Sequence, residues 1–174
     1  MNAQLVNVGI YGASGYAGQD LVELLAQHPA ANLVFATSNT FAGQPVRGTS
    51  LRYIPSEEAN PAEADVVFLA LPHGVSARMA AKSAGAGAAV VDLSADLRLD
   101  SAKSYEQWYG QAHPHPELLT APYGLPEMHR EKIVGARMVA APGCYPTTTL
   151  LGLYPLLKMR ALEAGRPINV DAKS

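Results

Sequence analysis

The single thiol of the chain, Cys144, stands in the run Ala141-Pro142-Gly143-Cys144-Tyr145-Pro146-Thr147, where an apolar stretch ends and a helical pattern begins. A sulfur at a helix start lies beside unpaired backbone N–H groups and the positive end of the helix dipole, which favours thiolate over thiol. An ordinary thiol, with a pKa of about 8.5, is only a few per cent ionised at neutral pH; a shift to about 7 makes it half ionised for roughly 2 kcal/mol of local interaction. Such a group attacks carbonyl carbon. The competing reading is a small buried hydrophobe, because cysteine is among the most buried residue types. One cysteine cannot form an internal disulfide.

A second candidate is Gly12-Ala13-Ser14-Gly15-Tyr16-Ala17-Gly18, placed after an apolar run that ends at Ile10 and opening a helical pattern. Glycines here let the chain turn tightly and let a pyrophosphate approach the backbone, while the helix start offers N–H groups to a phosphate. The spacing G-x-x-G-x-x-G is looser than G-x-G-x-x-G, so a turn that merely packs a helix on a sheet stays open. At the end of the second apolar run an acidic residue would take the ribose hydroxyl of NAD. Thr37-Ser38-Asn39 stand there instead, no acid occurs between Glu23 and Glu57, and Arg47 and Arg52 follow. That pattern points to NADP; a plain polar turn is the alternative. Leu71, Pro72 and His73 close the third apolar run, at the strand end where open α/β sheets bind ligands.

The other titratable groups read more blandly. His28 falls at the edge of a helix face, His113 and His115 in a Pro-rich loop read as solvent-exposed turn residues, and His129 lies beside Arg130 and Glu131 on a solvated helix. The His-x-His pair lacks a third ligand, so no metal site is expected. Asp92 and Asp96, at a strand's carboxyl end, read as caps of neighbouring backbone as readily as acids.

These residues need a scaffold of alternating elements. Strands are expected near Leu5–Ile10, Leu33–Thr37, Asp65–Leu71, Ala88–Leu93 and Met138–Ala141, with helices over Ala17–His28, Ser76–Ala84 and Glu127–Val134. A helix with a kink at Pro155 is expected from Cys144 to about Ala164, and a strand beginning at Ile168 and running to Ser174. The alternation implies an α/β, Rossmann-type doubly wound parallel sheet over 1–143, interrupted by a structured insertion over 94–137. Residues 144–174 are expected to begin a second α+β substrate and dimerisation domain, so the chain reads as the amino-terminal part of something longer. With 174 residues, 48% hydrophobic and 16% charged, composition is that of a globular protein. A formal charge of −2 without a basic cluster argues against nucleic acid or a membrane surface as partner, and no apolar run nears the ~20 residues of a membrane span. A cytoplasmic location is expected.

Five segments, GASGYAG at 12–18, ALPHG at 70–74, VVDLSADLRL at 90–99, YGLPE at 123–127 and APGCYPT at 141–147, resemble in order the N-acetyl-gamma-glutamyl-phosphate reductases of the semialdehyde-dehydrogenase group. The resemblance implies an NADP-dependent enzyme of arginine biosynthesis with Cys144 as nucleophile. It implies a cofactor over Gly12–Gly18, near Thr37–Asn39 and beside the LPHG segment, and a small acyl-phosphate substrate. Homo-oligomers are implied for the full-length enzyme, with the histidine that assists the thiol beyond residue 174. Where the family commonly has Arg after the Ser at the second strand's end, this chain has Asn39. A related aminoadipate-phosphate reductase of lysine biosynthesis is disfavoured by Gly124-Leu125 and Tyr145-Pro146. A non-catalytic nucleotide-binding module is the remaining alternative.

Overall fold

The computed structural model describes residues 4–163 and 165–173. Five parallel strands form one sheet: β1 (Val6–Tyr11), β2 (Ala31–Ala36), β3 (Val66–Leu69), β4 (Ala89–Asp92) and β5 (Met138–Ala140), in the order β2-β1-β3-β4-β5. Helix α1 (Tyr16–Ala26) links β1 to β2, and α2 (Ser76–Gly85) links β3 to β4. Between β4 and β5 lie α3 (Ala102–Tyr109) and α4 (Pro126–Ile133), and α5 (Cys144–Lys158) follows β5.

Parallel strands need both faces covered, and the side chains divide accordingly. On one face Ile10, Ala36 and Ala13 pack with Val22 of α1 and with Val46, backed by Leu21, Leu25, Leu51 and Tyr53. On the other, Tyr11, Phe35, Val67, Leu69 and Val90 pack with Ala80 of α2 and with Leu97. Neighbours along β1, Ile10 and Tyr11, thus serve opposite layers, as a period of two requires. Because β1 sits between β2 and β3, the chain leaves its carboxyl end one way and returns at the other side. The crevice between β1 and β3 is therefore the switch point where such sheets take ligands.

Outside β2 a single parallel bridge adds Ile54: its N–H donates to Ala36 O at 3.1 Å and its carbonyl accepts from Ser38 N at 2.9 Å. An antiparallel bridge from Pro45 to Arg52 folds the preceding loop into a short hairpin. At the opposite edge Tyr123 bridges Ala140.

The expected elements are present with ends moved by a few residues. Three expectations fail. The helix begun at Cys144 stops at Lys158, short of the expected end at Ala164, which lies outside the described residues. Residues 168–173 form no strand, and Ser174 lies outside the described residues. The helix α5 runs through Pro155, whereas α4 is the helix that bends, at His129, whose φ is −130°. Among the described residues no helix is long and apolar enough to cross a membrane.

Candidate active site

The glycine turn follows β1 at the sheet's switch point. Gly12 has φ +75°, and a Cβ there would meet Ala70 O at 2.3 Å. At Gly18 a Cβ would meet Gly12 O at 2.2 Å, so the start of α1 presses directly on the turn. Packing alone demands these two glycines. Gly15 differs, since an added Cβ would find only Gly12 O, at 3.6 Å, and its φ of −73° suits any residue. A bare backbone with no internal need for it is what a pyrophosphate requires for close approach. Helix α1 has no acidic residue in its first turn and no side-chain cap, leaving its start open to an anion. Ala13 is buried under the turn, while Tyr16 projects almost wholly into solvent. The chain's own geometry thus fits a dinucleotide.

Around this turn the other nominated residues gather. Thr37 is buried, and its hydroxyl accepts from Gly12 N–H at 3.1 Å. Ser14 donates its hydroxyl to Ser38 at 2.7 Å, joining the glycine turn to the end of β2, while Asn39 stays exposed beyond it. Leu71 packs on the turn from the β3 side, its Cδ2 being 3.2 Å from the Cβ position of Gly12. Pro72 and His73 form the exposed rim that follows.

A buried carboxylate holds that rim. Asp96 accepts from Gly74 N–H at 2.8 Å in the loop before α2, from Ala77 N–H at 3.0 Å in its first turn, and from Tyr105 OH at 3.1 Å. His73 Nδ1 lies 2.7 Å from the same carboxylate, and its ring stacks on Tyr109 with centroids 4.3 Å apart. Asp92 accepts from Ser76 Oγ at 2.5 Å and from Ser94 Oγ at 2.8 Å, and burial pushes its pKa up against those bonds. Both carboxylates therefore act on backbone and hydroxyl groups, chiefly at the start of α2. Helix α2 has no cap of its own, so its cap arrives from sequence twenty residues onward.

His113 corrects the sequence reading: it is buried, not exposed in a turn. Its Nδ1 accepts from His115 N–H at 2.9 Å, so Nε2 carries the proton and donates to Asp96 O at 2.9 Å. It seals the Asp96 loop from below, edge-on to Tyr105. His115 pairs with Glu117, His28 is exposed, and His129 meets the Tyr123 ring.

Cys144 is the first residue of α5, and it is exposed. In this chain the thiol is not packed in the core of the sheet. No side chain caps this helix; the Thr147 hydroxyl instead bonds back to Gly143 O at 2.9 Å. Sequence reasoning missed the residue that fixes this turn. Arg98 Nε donates to Ala141 O at 2.8 Å and Nη2 to Leu93 O at 2.7 Å, tying the loop after β4 to the loop after β5. A Cβ on Gly143 would come within 3.0 Å of Arg98 Nη1, so the guanidinium lies directly against the residue preceding the thiol. Arg98 stands within the ADLR segment, yet only the fold shows that its partners lie across two strands.

The strand order, the switch-point crevice and the glycine turn define a Rossmann-type dinucleotide-binding domain. The semialdehyde dehydrogenase, NAD binding domain family matches residues 7–136, and the chain belongs to that family. An N-acetyl-gamma-glutamyl-phosphate reductase of Ectopseudomonas mendocina is 47% identical over 98% of this chain and 52% of its own length. The chain thus spans about half the length of the curated relatives it matches. Among solved structures, aspartate semialdehyde dehydrogenase II of Vibrio cholerae superposes with a TM-score of 0.70 at 23% identity, covering 89% of this chain and 47% of that one. The aspartate semialdehyde dehydrogenase of Candida albicans with NADP gives 0.62 at 20% identity, covering 90% and 48%. At those identities the likeness is one of fold.

Proposed function

We propose that the chain carries the cofactor domain and nucleophile of an NADPH-dependent N-acetyl-gamma-glutamyl-phosphate reductase, which makes N-acetylglutamate 5-semialdehyde in arginine biosynthesis. The observation that carries the reading is an exposed thiol at the uncapped start of α5, following the carboxyl end of β5 as the glycine turn follows that of β1 in the same parallel sheet. The 47% identity to a relative of that name supports the choice of substrate.

In this reading the Cys144 thiolate attacks the carbonyl carbon of the acyl phosphate, the C–O bond to phosphorus breaks, and inorganic phosphate leaves with its electron pair. The product is a thioester on Cys144. Backbone N–H groups at the start of α5 stabilise the oxyanion formed on attack. Arg98 holds the Pro142-Gly143 turn and so aims the sulfur. When bound, the reduced nicotinamide supplies the hydride that releases the aldehyde and regenerates the thiolate. Gly12–Gly18, Thr37–Asn39 and Leu71–His73 bind and orient that cofactor. Residues 144–174 begin the substrate and dimerisation domain of a cytoplasmic homo-oligomer, which supplies the base.

The test uses the first half-reaction. The intact enzyme, with the base-bearing half present, is mixed with N-acetylglutamyl phosphate without nucleotide and examined by mass spectrometry. A hydroxylamine-labile N-acetylglutamyl adduct on Cys144, absent from Cys144→Ser, is expected. An unmodified Cys144, or an equal adduct in the serine variant, refutes the assignment.

A further inference from the structure

Cofactor choice in this fold is made at the end of β2, where an acid selects NAD and a cation accommodates the 2′-phosphate of NADP. The oxygens of the polar side chains there accept bonds from the protein, and these side chains are neutral. The Thr37 hydroxyl accepts from Gly12 N–H at 3.1 Å and from Ser56 Oγ at 3.2 Å. Ser38 Oγ accepts from Ser14 Oγ at 2.7 Å and from Phe41 N–H at 3.1 Å. Asn39 Oδ1 accepts from Ser56 N–H at 2.9 Å. These bonds hold the loop, and none brings a positive charge, whereas a phosphate monoester carries about −1.5 to −2 at neutral pH.

Two arginines follow, with different fates. Arg52 Nη1 donates to Gly43 O at 2.7 Å, bracing the hairpin on which it sits. Arg47 is at the hairpin's tip. Its neighbour Val46 is buried against α1, with Val46 N–H bonded to Leu51 O at 2.9 Å, and Gly48 turns the chain at φ +76°. The anchored tip presents Arg47 to a cleft of about 510 Å³ that it shares with Ser14, Phe41 and Tyr53. Asp20 and Glu23 of α1 line the same cleft, and among the described residues no carboxylate stands within ion-pair distance of Arg47. Among the described residues Arg47 is the one cation lining the cleft, which reaches Ser14 of the glycine turn.

We propose that Arg47 takes the 2′-phosphate of the dinucleotide and sets the preference for NADP, a role displaced from the strand end to the hairpin tip. The inference rests on the dinucleotide reading above and adds its specificity. A guanidinium offers a phosphate two parallel N–H donors, which an asparagine at position 39 does not. Without Arg47 the charges left on the cleft wall are the carboxylates of Asp20 and Glu23, so a phosphate would be repelled while a ribose hydroxyl would not.

The experiment is a fluorescence titration of the chain with NADPH and with NADH. The wild type is expected to favour NADPH by tenfold or more. Arg47→Ala is expected to lose at least tenfold in NADPH affinity while NADH stays within twofold, its retained NADH binding serving as the check on folding. Arg47→Lys keeps part of the preference. An unchanged ratio in Arg47→Ala, or equal loss of both nucleotides, overturns the assignment. Equal binding of both by the wild type overturns it while leaving the dinucleotide reading intact; binding of neither overturns both.

Discussion

Burial decides which groups near the rim keep their protons. Tyr105 is wholly buried, and burial together with the Asp96 carboxylate pushes its phenol up to about 12. In the unfolded chain a phenol titrates near ~10, so the native state holds this proton more tightly. Its stabilising contribution is therefore intact below about pH 10 and is lost as pH rises toward 12. In urea melts at a series of pH values, Tyr105→Phe should begin about 1 kcal/mol less stable, for the missing bond to Asp96. Across that window the gap between the two proteins should narrow; a constant gap would show that Tyr105 does not titrate as its surroundings dictate. Of the two histidines near this phenol, His113 fell outside simple sequence rules. His113 looks like a loop residue because its neighbours are prolines, but the loop folds back so that its ring caps the Asp96 backbone.

At the scale of elements, the rim and the thiol turn hang on one connecting segment. Asp96 grips the start of α2 and the LPHG loop, and Arg98, two residues on, grips Ala141 before the thiol. Capping of α2 is thus non-local, which is why no Ser, Thr, Asp or Asn at its own N-cap marks it; Val75 stands there. In Asp96→Asn one carboxylate oxygen becomes an N–H donor facing donors already present, so an amide or the Tyr105 hydroxyl loses its partner. A loss of roughly 2–4 kcal/mol in denaturant melts is expected. Hydrogen exchange at Gly74 and Ala77 should rise ahead of the sheet's, and a variant as stable as the wild type would refute the capping role. The helix starts themselves were legible, because Pro126 and the glycines before Tyr16 and Cys144 are local signals.

The whole molecule is unevenly stabilised. The sheet and its two covering helices bury Ile10, Val67, Leu69, Ala77 and Ala80, whereas α5 has no buried residue and exposes Tyr145, Leu156 and Leu157. Local opening follows buried contact, so α5 belongs to the least protected part of the fold. Amides within 145–158 should exchange at least about a hundredfold faster than those of Val67 and Leu69. Equal protection in a mass-spectrometric exchange experiment on the monomeric chain would contradict that ranking.

Sequence by itself determined the alternation of strand and helix, the glycine turn and the place of Cys144 at a helix start. Each depends on residues adjacent in the chain or one turn apart, where periodicity, φ preferences and the helix dipole act. Tertiary structure alone decided that Thr37, Ser38 and Asn39 bond inward, that Asp96 caps a helix twenty residues earlier, and that Arg98 braces the thiol turn. Those partners meet because parallel strands bring distant loops to one sheet edge, and a donor's choice among acceptors there is set by distance in space, which no local pattern encodes.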